Sequence, residues 1–456
     1  MIRRVQSSIP WLALLPYIIV AKKVLSMPQV VPRLIYVSAS DPTAAYTSIS
    51  AALRHAAPGD MVLVGAGYYA PSQTGEHFPL YVPPGVTLLG AGQGESIIDG
   101  EGNLEVSFRP VQTGQSLVLL GDGSAVSGFT ITGSGGNGLG IEPGARVCIM
   151  RNAIRQHGQH GIIVSGPQEA IIKDNRFLDN GTRQFRPETP QPAAGRQGHH
   201  IFVQGKGGAA NRIIIADNTM RGAFADAIAL VVFFDEPDAV SMHVSVLGND
   251  IEQSQRRGIT IAGSFGPSRT RVIVDMQHNS IRQTAAQAIA AYAARPLARQ
   301  LLRHCRLQLR IIDNTCIQNG GGIALFGGFG PAEDNLLDGL IIGNRLTGIQ
   351  GHALRLIGGV GFDGYSASRN RVQALVSRNH LEDVHYPPIL LQGGIVTARE
   401  EAIGNAVFAH IRDNTLPLDA GKPPVLLNDG LPGNTVHLAD PAPPHDRVFE
   451  IIPYLA

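Results

Sequence analysis

Nine windows of the chain set an asparagine in the same surroundings. They read VCIMRNAI, AIIKDNRF, IIIADNTM, VSVLGNDI, VDMQHNSI, LRIIDNTCI, LIIGNRL, ALVSRNHL and AHIRDNTL. The asparagines are Asn152, Asn175, Asn218, Asn249, Asn279, Asn314, Asn344, Asn379 and Asn414. Each has an apolar residue three places before it and another two places after it. The position five before is mostly apolar as well (Val147, Ile213, Val244, Val274, Leu309). The pair before the Asn has the two-residue period of a strand, and so does the pair formed by the Asn and the residue two after it. Between the two pairs the phase slips by one residue, which exchanges inside for outside unless the chain bends. Each window is therefore two short strands meeting at a bend, with the Asn at the bend.

A second motif follows each of the first eight asparagines. It reads GIIV, HIFV, AIAL, GITI, AIAA, GIAL, ALRL and PILL, starting its apolar pattern at Ile162, Ile201, Ile228, Ile259, Ile289, Ile323, Leu354 and Ile389. The count from Asn to that residue is ten in six of the eight cases, which marks a third strand. Units of 23 to 43 residues with three short strands each predict a solenoid. Strands that recur once per coil are parallel, and equivalent residues stack at roughly 4.8 Å. A buried Asn is costly alone but not in such a stack, because its amide carries two donors and an acceptor and can bond its neighbours above and below.

At this point the sequence resembles the right-handed parallel β-helix superfamily, the pectin-lyase-like fold, whose members carry stacked Asn ladders at one bend. The resemblance runs from about Leu34 to Asn414. It implies an all-β, right-handed parallel β-helix solenoid with an N-terminal helical cap and an Asn ladder. Many activities share this scaffold, so the resemblance speaks weakly to function. YTSISAALRHAAPGD reads as the cap helix, over about residues 46–57, closed by Pro58-Gly59. The segment after it, MVLVGAGYYAPSQTGEHFPLYVPPGVTLLGAGQGESIIDG, resembles the opening of an uncharacterised bacterial β-helix family. AVSGFTIT puts Phe129 in the Asn place, as an atypical first rung. The expected organisation is an N-terminal apolar segment over 1–33, a β-helix domain over 34–416 and a Pro-rich tail or cap over 417–456.

Composition agrees. Gly is abundant at 54 residues and the charged fraction is only 16%, as suits short strands joined by tight turns. A net charge of +1 points away from nucleic acid. Cys148, Cys305 and Cys316 are too few and too irregular for a disulfide framework, and Cys316 falls on a core position. The run IPWLALLPYIIVA after Arg3 and Arg4 resembles the core of a signal peptide, which favours an extracellular or periplasmic location. An uncleaved anchor is the alternative for this segment, and a true start at Met27 would instead make the protein cytoplasmic.

Candidate chemistry lies two residues before the start of each third strand. That row reads His160, His199, Asp226, Arg257, Gln287, Gly321, His352 and Pro387. Four consecutive coils thus align a proton acceptor, a carboxylate and a cation. Polysaccharide lyases and uronate epimerases need these types: a cation offsets the uronate carboxylate and lowers the pKa of the C5 proton, and a base removes it. His199 or His160 is the expected base, Asp226 its orienting partner and Arg257 the carboxylate holder. His200, Arg256, Phe234 and Arg186 are the expected substrate contacts, the last from the insertion Leu178–Gly198, which is about 16 residues longer than its equivalents. The alternative is a non-catalytic surface, structural or binding β-helix, since turn positions of a solenoid are also polar because they face water. GHH occurs at Gly198–His200 without the paired Asp of the related hydrolases. A calcium site stays open as an alternative but is unsupported, because Asp174, Asp217, Asp313 and Asp413 lie partly on non-adjacent coils. No cofactor is expected, and the expected partner is a polysaccharide. Alternation points Ile163, Phe202, Ala229, Ala290 and Leu390 outward as an apolar stripe, to be covered by the long loops or by a second copy of the chain.

Overall fold

The structure, a computed structural model, describes residues 32–102, 113–181, 198–232, 239–296, 300–362, 364–396, 401–417, 425–428 and 433–438. Every coil visits three parallel sheets in turn. Sheet I has 14 strands, sheet II has 11 and sheet III has 12. Register follows the sequence windows: Ile149 pairs with Ile172 and Ile172 with Ile215 in sheet I, Ile154 with Phe177 in sheet II, and Ile162 with Ile201 in sheet III. The inward rows of all three sheets merge into one apolar core that runs the length of the helix.

The bend has a single cause. The residue before each ladder Asn is left-handed: Arg151, Asp174, Asp217, His278, Asp313, Arg378 and Asp413 have φ between 52° and 56°, and Gly248 and Gly343 have 62° and 69°. One left-handed residue turns the chain and restores the inward phase on the far side. Gly343 is needed for space as well, because a Cβ there would lie 2.0 Å from Asp313 Oδ1 on the preceding coil.

The ladder is continuous from Asn152 to Asn414. Each Nδ2 donates to the Oδ1 of the next Asn, at 3.2 Å for the first pair and 2.9 Å for the last. The second amide proton goes to a sheet I carbonyl, as in Asn249 Nδ2 to Ile215 O at 2.9 Å. Phe129 is not the first rung. Gly67 pairs with Ser96 and Ser96 with Phe129, so two coils precede it, and the Phe129 N–H donates to Asn152 Oδ1 at 3.1 Å.

Sequence reading missed a second ladder. Asn335, Asn370, Asn405 and Asn434 stack in the same way at the entry to sheet I, beside a four-stranded sheet IV built from the long loops. Past Pro417, Val425–Asn428 and Thr435–Leu438 add one more strand each to sheets III and I, so the parallel sheets run on beyond the expected boundary at 416.

Two expectations change in detail. The helix is only Ile49–Leu53, not 46–57; Ser48 caps it, and Ile49, Ala52 and Leu53 are buried in the core. That it closes the end of the core stays an expectation. The apolar stripe is not exposed: Ile163, Phe202, Ala229, Ala290 and Leu390 are at most 6% exposed within a single chain. The loops after the third strand fold back over it, with Phe265 packing on Ile163, Phe202 and Ala229, and Phe329 on the cluster that holds Ala290. A homo-oligomer through this stripe has no open apolar face to use. Cys316 sits in the core as a free thiol, which burial pushes up to about 12.

Candidate functional site

The outer face of sheet III brings together most of the described residues singled out above. His160 and His199 are buried side by side, with rings stacked 5.3 Å apart, and both stack on Phe202 at 4.7 and 5.3 Å. Their hydrogen bonds separate their roles. The backbone N–H of His199 donates to His160 Nδ1 at 3.2 Å, so the lone pair of His160 is used and its proton sits on Nε2. His199 Nδ1 lies 3.0 Å from the Asp226 carbonyl oxygen. A carbonyl only accepts, so Nδ1 carries the proton and Nε2 carries the lone pair. That Nε2 is buried and has no hydrogen-bond partner. Burial holds both imidazoles below the ordinary histidine range; the neighbouring imidazole adds to this at His160, while Asp226 opposes it at His199.

Asp226 orients His199 through its backbone, not through its carboxylate. The carboxylate faces the next coil and accepts the backbone N–H of Arg257 at 3.1 Å. The parallel ladder itself produces this, because the carbonyl at one row position meets the side chain of the coil before. Arg257 Nε donates to Gln287 Oε1 at 3.0 Å, while its Nη1 is buried without a partner. A third guanidinium, Arg295, lies over the Tyr292 ring at 4.9 Å and the Phe329 ring at 5.6 Å. Burial, then Arg257 and Arg256, lower its pKa, while Tyr292 and Asp226 raise it. Three arginines thus share one described carboxylate. Arg295 and Tyr292 were not anticipated; their only sequence signal is a place at the start of a long loop.

His200 is a correction. It is fully buried and faces the core, its ring 5.6 Å from Phe177 and its Nδ1 accepting from Asn180 Nδ2 at 3.0 Å. Burial pushes it down to about 3. It does not reach the outer face of sheet III, because the position after His199 turns inward at the corner between sheets II and III. Arg256 is half-buried beside His199 and Arg295. Phe234 and Arg186 lie outside the described residues. Among the described residues no group of three or more His, Cys, Asp and Glu side chains could hold a metal ion, and no helix is long and apolar enough to cross a membrane. An open cleft at the corner between sheets II and III is lined by Gln253, Gln255, Gln283, Gln318 and Gln350, with no titratable side chain among its described lining residues.

Residues 38–184 match a family described as protein of unknown function (DUF1565). That description names neither fold nor source, so the likeness of the opening segment to an uncharacterised β-helix family stays a resemblance. No curated protein matches the chain. Three solved structures overlay on it loosely. A family 28 exopolygalacturonase of Yersinia enterocolitica has 10% identity and a TM-score of 0.49, covering 89% of this chain and 78% of its own. An alginate lyase of Paenibacillus sp. str. FPU-7 has 14% identity and a TM-score of 0.42, covering 81% and 99%. The catalytic unit of a GH87 α-1,3-glucanase of Streptomyces thermodiastaticus strain HF3-3 has 16% identity and a TM-score of 0.43; it covers 85% of this chain, which spans 66%, just under two thirds, of that unit. These overlays are too loose to carry an argument about activity. Residues 116–300 match the family described as right handed beta helix region. That match covers less than half of the chain; together with the strand register and the Asn ladder it agrees with a right-handed parallel β-helix fold.

Proposed function

We propose that the outer face of sheet III binds an acidic polysaccharide and removes a proton beside a uronate carboxylate, as a lyase or an epimerase does. The observation that carries this reading is Arg257 Nη1, buried and unpartnered, with Arg256 and Arg295 close by and Asp226 as the one described carboxylate among them. A buried guanidinium N–H without an acceptor is costly, and an incoming carboxylate relieves that cost. Carboxylate binding at Arg257 makes the adjacent C–H more acidic. His199 fits the base by tautomer: its Nε2 lone pair takes the proton while Nδ1–H stays on the Asp226 carbonyl. His160 does not, because its lone pair already accepts the His199 N–H. His199 is 2% exposed, so reaction there requires the residues over it to move. The same burial favours the second reading, a binding scaffold without turnover.

The test incubates the full chain with a panel of polyuronates in D2O. It follows the ultraviolet absorbance of unsaturated ends, which reports elimination, and deuterium at C5, which reports epimerisation as well. Either signal on one polymer supports enzyme chemistry. Binding without either supports the scaffold. An Arg257→Gln variant is expected to bind the polymer at least about tenfold more weakly with an unchanged Tm. Absence of polyuronate binding by the wild-type chain sinks both readings.

A further inference from the structure

His352 occupies the same row as His199, five coils on, or about 24 Å along the axis at roughly 4.8 Å per coil. It repeats the same device. Its Nδ1 lies 2.7 Å from the Pro387 carbonyl oxygen, the carbonyl of the next row position, so Nδ1 carries the proton and Nε2 the lone pair. One feature differs: His352 is only half-buried. Beside it stands Arg355, whose charge acts on the imidazole and whose Nε is buried without a partner. The Arg355 guanidinium lies 6.0 Å over the Phe326 ring, and no described carboxylate pairs with it. Tyr386, 57% exposed, sets its ring 5.4 Å from the imidazole at 53°.

We infer that His352 and Arg355 form a second proton-transfer station for a polyuronate, open to solvent where the His199 station is closed. The inference rests on the polyuronate reading above. The substrate carboxylate bonds the half-buried Arg355 guanidinium, the Tyr386 ring walls the sugar, and His352 Nε2 takes the C5 proton. In epimerisation the C5–H electron pair stays on the carboxylate-stabilised carbon, water on the opposite face delivers a proton to C5, and the resulting hydroxide is neutralised by the proton that His352 Nε2 releases to solvent. In elimination the C5–H electron pair forms the C4–C5 double bond, the C4–O pair leaves with the oxygen, and the proton passes from Nε2 to that oxygen. Elimination needs no further reactant, and epimerisation needs only water.

The experiment compares His352→Gln, His352→Ala and His199→Gln in the full chain, with the D2O and absorbance readouts above. His352→Gln is expected to lose at least about a hundredfold in turnover with an unchanged Tm, and more than His199→Gln loses. Added imidazole is expected to restore part of the activity of His352→Ala, which a purely structural role would not allow. A larger loss in His199→Gln, or no loss in His352→Gln, overturns the station while leaving the polyuronate reading intact. With no wild-type turnover the enzymatic reading falls by itself, and the imidazole 15N signals decide the site: a shift of the His352 signal on adding an oligouronate keeps His352 in contact with the ligand, and no shift overturns it.

Discussion

Two polar rows run along this helix, one inside and one outside, and they end differently. The inner row repeats one residue type. Each Asn amide is both donor and acceptor, so identical neighbours close on one another, as Asn249, Asn279 and Asn314 do at 2.9 Å. The outer row mixes imidazole, carboxylate and guanidinium. Those groups chain only in part from coil to coil, as Arg257 does with Asp226 and Gln287, and atoms are left over: His199 Nε2, Arg257 Nη1 and, three residues beyond the row, Arg355 Nε. Repetition satisfies a buried polar group; variety leaves it available. The leftover atoms are the ones a ligand can use.

The largest effect expected from this contrast is on stability. Asn279→Ala removes the acceptor for the N–H and Nδ2 of Asn249 and the donor to Val246 O. Several buried groups lose partners at once, so a loss of about 3 kcal/mol or more is expected in denaturant unfolding. Gln287→Ala on the same coil removes one bond from a half-buried side chain and is expected to cost less than about 1 kcal/mol. Equal losses in the two variants would break the distinction between a closed and an open row.

Acid comes next. His157, His160, His199 and His200 are buried, and burial lowers the pKa of each, to about 3 for His157 and His200. A histidine with a depressed folded pKa stays neutral in the folded chain while its unfolded counterpart takes up a proton below about 6.5. Stability is therefore full above that value and falls as pH drops from about 6.5 towards 3. Tm measured across that window is expected to decline, and less steeply in His157→Gln, which removes an inner histidine bonded at both nitrogens. A flat profile would mean that these side chains are not buried as described.

The inner row was legible because it is periodic: a fixed apolar frame around one residue type names both the bend and the stack. The second ladder carries the same signature, an Asp, Arg or Gly with positive φ just before Asn335, Asn370, Asn405 and Asn434; the same apolar frame of three before and two after surrounds each, but it spans four coils at the end of the chain against nine for the first ladder. The candidate row was legible as a list of residue types and not as chemistry. Which imidazole keeps a free lone pair depends on whether its Nδ1 meets a carbonyl, as at Asp226 and Pro387, or an N–H, as at His199, and no pattern of side chains encodes that. Alternation read the stripe through Phe202 correctly as outward from its sheet. Outward is not exposed here, because the solenoid folds its own loops over that face.

The smallest effect is expected at a third row, on the outermost rim. On sheet IV, Arg303 reaches Glu333 at 2.5 Å, and Arg369 bonds both Glu333 and Asp334. This row mixes unlike groups, as the outer face of sheet III does, and yet it closes on itself through opposite charges. The arginines are more than half exposed, so water competes for every partner and salt screens the attraction. Arg369→Gln is expected to leave Tm unchanged within measurement at both low and high salt. A drop comparable to that of Asn279→Ala would mean that completeness of pairing, and not burial, sets the stability of a row. The unpartnered arginines of sheet III would then weaken the fold on the same scale, and binding a polyanion there should raise Tm by a matching amount.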